Sequence, residues 1–204
     1  MRDFFTMIFV VIILYGIYVM FFQGEIGLPG AKPKASSSSS KTIATASMPA
    51  VEIGTDFKLT NQYGEVMSSK QLRKRKLLVF FGFTHCPDIC PAALAVMNEA
   101  YGLLGADSSL VKPVFITIDP ENDTPQVIQE YLLNFSPDFL GFTGDRAEIE
   151  RVVKAYKAYA NKSDDGQVMH SDLIYLMDGN GKYITHFNRD NTPQEIAKTI
   201  KKHR

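Results

Sequence analysis

Residues Phe4 to Phe22 form a run of 19 without a charged side chain, and only Thr6 and Gly16 within it are not apolar. As a helix it would be ~28 Å long, about the thickness of a bilayer's hydrocarbon core. No face of that helix would be polar, so it does not suit the surface of a soluble core. It is too long for the apolar centre of a cleaved signal peptide, and no small-x-small site follows it closely. We therefore expect a transmembrane signal anchor at 4–22 behind a short tail at 1–3. Arg2 favours a cytoplasmic N-terminus, whereas Lys32, Lys34 and Lys41 lie on the other side, so the charge rule does not orient it. No Arg- and Ser-rich amphipathic presequence precedes the run, and nothing suggests organelle transit. Residues 23–47, rich in Gly, Pro, Ala and Ser and including Ser36 to Ser40, cannot bury enough apolar surface to order themselves and read as a flexible stalk. The expected folded domain is 48–204.

Charge and cysteine usage narrow the function. The chain has 22 basic and 22 acidic side chains, and a neutral protein is not built to displace counterions from nucleic acid. Its two cysteines are too few for a disulfide scaffold or a four-thiolate zinc or iron–sulfur site.

Within the domain, Phe57 to Ser68 reads as a hairpin about Asn61-Gln62-Tyr63-Gly64. Leu77 to Phe83 is a short apolar run, the pattern of a strand buried on both faces. A helix follows with Leu94, Met97, Tyr101 and Leu104 on one face and Pro91 suited to its first position. Pro113 to Ile118 predicts the next strand. Thr124-Pro125 opens a helix carrying Ile128, Tyr131, Leu132 and Phe135 at helical spacing. A strand at Phe139–Phe142, a helix marked by Ile149, Val152, Val153 and Tyr156, and a hairpin of Leu173–Met177 with Tyr183–Phe187 come next. Thr192-Pro193-Gln194-Glu195 is a capping box that starts the last helix. This order predicts an α/β domain with a mixed sheet, thioredoxin-like and preceded by a β-hairpin.

Cys86 and Cys90 fall where the first buried strand runs into its helix. Unpaired amides and the helix dipole there stabilise thiolate, so a lowered thiol pKa is expected. Thiolate both attacks disulfides and binds soft metals, and the pair alone leaves both uses open. The spacing differs from the Cys-x-x-Cys of thioredoxins. With three residues between them the sulfurs can converge on one ion, and two thiolates plus an imidazole make a three-coordinate set suited to Cu(I).

Gly82-Phe83-Thr84-His85-Cys86-Pro87-Asp88-Ile89-Cys90-Pro91 resembles the signature of the Sco/SenC family of copper proteins. Ile118-Asp119-Pro120-Glu121-Asn122-Asp123-Thr124-Pro125, Val168-Met169-His170-Ser171 and Tyr175-Leu176-Met177-Asp178 agree with it, and the anchor and stalk match the family's layout. The resemblance implies a thioredoxin-like fold and copper, as Cu(I) or Cu(II), held by Cys86, Cys90 and His170. It implies delivery to the binuclear copper centre of cytochrome c oxidase, with the copper-receiving oxidase subunit and a copper donor or thiol reductant as partners. It also allows a second role through Cys86 and Cys90, a thiol–disulfide reductase that keeps the oxidase's copper-binding cysteines reduced. The expected location is the bacterial inner membrane, single-pass, with the domain in the periplasm.

His170 sits just before the strand Leu173–Met177, where thioredoxin-like proteins usually carry a cis-proline facing the cysteines. Ser171 or Asp172 could orient its ring. His85 should point to the opposite side of the chain from its neighbour Cys86. His186 and His203 read as structural or solvated, and Met169 as core packing. Asp119, Glu121, Asp123 and Glu130 mimic a calcium loop, but Thr124 stands where the sharp turn needs Gly. The resemblance implies that this loop lies near the copper site, with Asp119 and Asp123 as groups outside the first ring of ligands or facing a partner. Asn122 stands where many relatives have Arg, which removes a charge. No Pro-x-x-x-Thr-x-x-Cys run surrounds Cys86, which disfavours a peroxidase.

Overall fold

The computed structural model describes residues 13–15, 52–158, 160–162, 168–170, 172–188 and 190–203. The chain divides into two units, Met1–Ser47 and Met48–Arg204. Residues 13–15 are helical; the rest of the expected anchor at 4–22, the tail and the stalk lie outside the described residues.

The second unit is built on a seven-stranded mixed sheet. Its first hairpin pairs β1 (Lys58–Asn61) with β2 (Val66–Ser68), and Gly64 at φ 81° supplies the left-handed turn residue. Then come β3 (Lys76–Gly82), α1 (Ile89–Leu104), β4 (Val111–Thr117), α2 (Pro125–Leu132), β5 (Leu140–Thr143) and α3 (Arg146–Ala155). A hairpin of β8 (Ile174–Met177) and β9 (Tyr183–Phe187) leads into α4 (Pro193–Lys202). The strand order is β2-β1-β5-β4-β3-β8-β9, parallel at β3–β4 and β4–β5 and antiparallel elsewhere.

The apolar run of β3 is explained by its place between two cores. Leu78 and Phe80 join α1, α2 and α4 on one face, while Leu77, Val79 and Phe81 join α3 and the first hairpin on the other. Every second side chain therefore serves a different core, and no position can be polar. Among the described residues Ile89–Leu110 is long and apolar enough to cross a membrane. It is a core helix instead, because its buried Cys90, Leu94, Met97, Ala100 and Leu104 recur at threes and fours along one face. The last helix begins as its sequence predicts, with Thr192 Oγ1 accepting from the Glu195 amide and the Glu195 carboxylate accepting from the Thr192 amide.

Two features differ from expectation. Helix α1 starts at Ile89, so Pro91 is its third residue and not its first. Pro91 still lies in the first turn, where a missing N–H breaks no intrahelical bond. The second is a separate two-stranded ribbon, β6 (Ala160–Lys162) with β7 (Val168–His170), which the polar stretch between Asn161 and Gln167 does not announce.

Candidate metal centre

Strand β3 ends at Gly82 and the chain turns at once, with the Cys86 amide donating to the Phe83 carbonyl at 3.3 Å. Cys86 then meets the first turn of α1, where the Cys90 amide donates to Cys86 Sγ at 3.4 Å. The sulfur thus takes one of the amides that a helix start leaves without a carbonyl. The two cysteines are not joined to each other; Cys90 is 0% and Cys86 9% exposed. Gly82 makes room for Cys90, since a Cβ there would lie 2.8 Å from Cys90 Sγ.

The expected lowering of the thiol pKa does not hold for Cys90. Burial pushes its thiol far above the usual range, Cys86 adds to that rise, and the Phe83 amide opposes it without prevailing. A helix terminus stabilises thiolate only where desolvation does not cost more.

His170 closes β7, its backbone opposite Ala160. Four residues later Ile174 begins β8, which runs antiparallel to β3 with Ile174 opposite Phe80. The chain just before Ile174 therefore lies at the same end of the sheet as the chain just after Phe80, which is the cysteine turn. Consistent with that register, Asp172 and Ile174 line one groove together with Asp88, Ile89 and Ala92.

The loop after β4 is tied to the cysteine turn by Asp123, whose carboxylate is fully buried. It accepts from the Thr84 hydroxyl at 2.6 Å, the Thr84 amide at 3.1 Å and the Thr117 hydroxyl at 2.5 Å. Three donors offset the cost of burying the charge. Sequence reading singled out Asp123 but missed Thr84 and Thr117; hydroxyls at the ends of two apolar runs were the available signal. His85 is exposed and engages this network through its Nδ1, 3.1 Å from Thr84 Oγ1 and 3.9 Å from Asp123 Oδ1. His186 pairs with the Tyr183 hydroxyl at 2.6 Å, and His203 caps the end of α4.

The calcium-like loop spends its groups internally. Thr124 caps α2, and Glu121 pairs with Arg146 at the start of α3. Asn122 Nδ2 donates to Asp119 Oδ2 at 2.7 Å, and Arg146 Nη2 stands 3.9 Å from Asp119. Arg146 thus brings a positive charge from α3 to this loop, an arrangement no local sequence pattern indicates.

A family model described as SCO1/SenC matches residues 45–204. The chain belongs to the SCO1/SenC family. The SCO2-like protein of Rickettsia felis is 44% identical over 157 residues, spanning 74% of this chain and 77% of that protein. Bradyrhizobium japonicum ScoI, solved with copper bound, superposes with a TM-score of 0.68 at 42% identity over 74% of this chain and 99% of that one. BsSco, described as a Sco-family cytochrome c oxidase assembly protein with a disulfide switch, gives a TM-score of 0.65 at 30% identity, covering 76% of this chain and 95% of that one. The thioredoxin-like α/β fold expected from the sequence is the Sco fold of these relatives.

Proposed function

We propose that this protein takes one copper ion on Cys86, Cys90 and His170 and hands it to the binuclear copper centre of cytochrome c oxidase. The observation that carries this reading is the meeting of two unjoined cysteines at the sheet end toward which the β3–β8 register brings the chain following His170. Two sulfurs and one imidazole form a soft, three-coordinate set that suits Cu(I) and leaves a side open for ligand exchange. Binding draws a proton from each cysteine that enters as a thiol, and Cys90 in the free protein is one. The copper-bound ScoI relative supports the same reading. The apolar run 4–22 would hold the domain at the bacterial inner membrane on the periplasmic side, beside a membrane-bound oxidase.

A second reading has its own support. Cys86 and Cys90 are close and unjoined, and BsSco is described as carrying a disulfide switch, so the pair could reduce the oxidase's copper-ligand cysteines. Anaerobic titration of the reduced full chain with Cu(I) against a chelator separates the two. The copper reading requires tight one-to-one binding that collapses in His170→Ala. Weak binding unaffected by His170→Ala, with disulfide reduction abolished in Cys86→Ala and Cys90→Ala, would replace it with the reductase.

A further inference from the structure

Tyr131 on α2 belongs to the apolar cluster that contains Cys86 and Cys90, its ring 5.9 Å from that of Phe115 and 6.0 Å from that of Phe135. Its hydroxyl is sealed from solvent and has no hydrogen-bond partner among the described residues. A buried hydroxyl left unpaired is costly, and a Phe would fill the same space without that cost. The position therefore carries an oxygen that the free protein's packing does not use.

The surroundings identify what could use it. Phe115, against which Tyr131 packs, also borders the floor of the cysteine site: a Cβ at Gly82 would lie 3.2 Å from Phe115 Cε2 and 2.8 Å from Cys90 Sγ. Burial raises the phenol's pKa and the neighbouring Cys90, Cys86 and Asp123 raise it further, so the oxygen stays protonated. Asp123 is already committed to Thr84 and Thr117. That leaves the sulfurs as acceptors. A neutral thiol accepts weakly, whereas a thiolate, free or metal-bound, accepts a strong charge-assisted bond.

We propose that Tyr131 is a positioning residue of the copper site, its hydroxyl donating to a cysteine thiolate once copper is bound. The inference rests on the copper reading above and adds a residue outside the predicted ligand set. Its logic is a trade: the hydroxyl destabilises the empty protein and stabilises the loaded one.

Tyr131→Phe in the full chain, held in detergent, tests both halves. The copper-free variant should melt at a higher temperature than wild type. Its Cu(I) affinity, read by chelator competition, should fall about tenfold, the worth of one charge-assisted hydrogen bond. The sulfur-to-Cu(II) charge-transfer band should also shift, which a purely structural tyrosine would not produce. A lower melting temperature without copper overturns the proposal, because the hydroxyl then has a partner in the empty fold. A higher melting temperature with unchanged copper affinity and band overturns it as well, while wild-type binding leaves the copper reading standing. If wild type itself fails to bind Cu(I), the copper reading falls and this inference falls with it.

Discussion

Replacing Gly82 by Ala probes the floor of the site in numbers. The added methyl would come 2.8 Å from Cys90 Sγ, 2.8 Å from Phe80 Cε1 and 3.2 Å from Phe115 Cε2. Carbon atoms prefer separations of about 3.5–4.0 Å, so two contacts are short by about 1 Å on different sides. Cys90, Phe80 and Phe115 are each fully buried, and close-packed interiors leave such side chains little room to move. Overpacking of this kind costs about 1–3 kcal/mol. Gly82 is not among the positive-φ residues, so Ala fits its backbone and stiffens the unfolded chain, returning about 0.4–1 kcal/mol. The net is a loss of about 1–2 kcal/mol. Gly102, inside α1, is the matched control: a Cβ added there would meet no atom within 4 Å, and Ala should add up to about 1 kcal/mol. Because a ligand displaced by more than about 0.5 Å spoils a metal site, Gly82→Ala should also lose about tenfold in Cu(I) affinity while Gly102→Ala keeps it. Urea unfolding of the copper-free proteins and chelator competition read the two effects. Gly82→Ala that is as stable as wild type and binds copper fully would refute the argument that this glycine sets the Cys90 position.

Asp123→Ala removes the acceptor for three donors and should cost about 3 kcal/mol in denaturant unfolding, since the gross bond energies are partly offset by no longer burying a charge; a loss below about 1 kcal/mol would mean the network does not hold the cysteine turn. Thr192→Ala breaks the capping box of α4 and should cost about 1 kcal/mol in the same assay, with Thr192→Ser restoring most of it. The Arg151 hydrogen bonds hold the Glu148 carboxyl below its ordinary value despite some burial. Its contribution is therefore present above the unfolded pKa and lost as pH falls through the folded one. NMR titration should find Glu148 returning toward its ordinary value in Arg151→Ala, and an unchanged midpoint would dismiss the pair as the cause.

Most of the framework was legible because the signals were strong and local. The run of β3 could only be a strand with both faces covered, and Thr192 to Glu195 could only begin a helix. Strand ends shifted by a residue or two where apolar side chains continue past the last ladder bond, as Phe83 does beyond Gly82. The ribbon of β6 and β7 escaped because its residues carry no period-two apolar pattern to read. At the site, the cysteine pair was evident from its spacing, yet the rise of the Cys90 thiol was not. That rise depends on how deeply the helix start is buried, which is set by α2, α4 and the sheet together. Arg146 was missed for a related reason: its partners Asp119 and Glu121 lie far back in the chain, and only the fold brings α3 beside them.

The unequal burial of Cys86 and Cys90 gives the pair a direction. Of the two residues, Cys86 keeps a little contact with solvent and Cys90 keeps none. On the proposed reading, an incoming thiol or metal ligand would engage Cys86 before Cys90. With copper bound as proposed, the outer sulfur would be the point of contact with a partner and the inner one the last to let go.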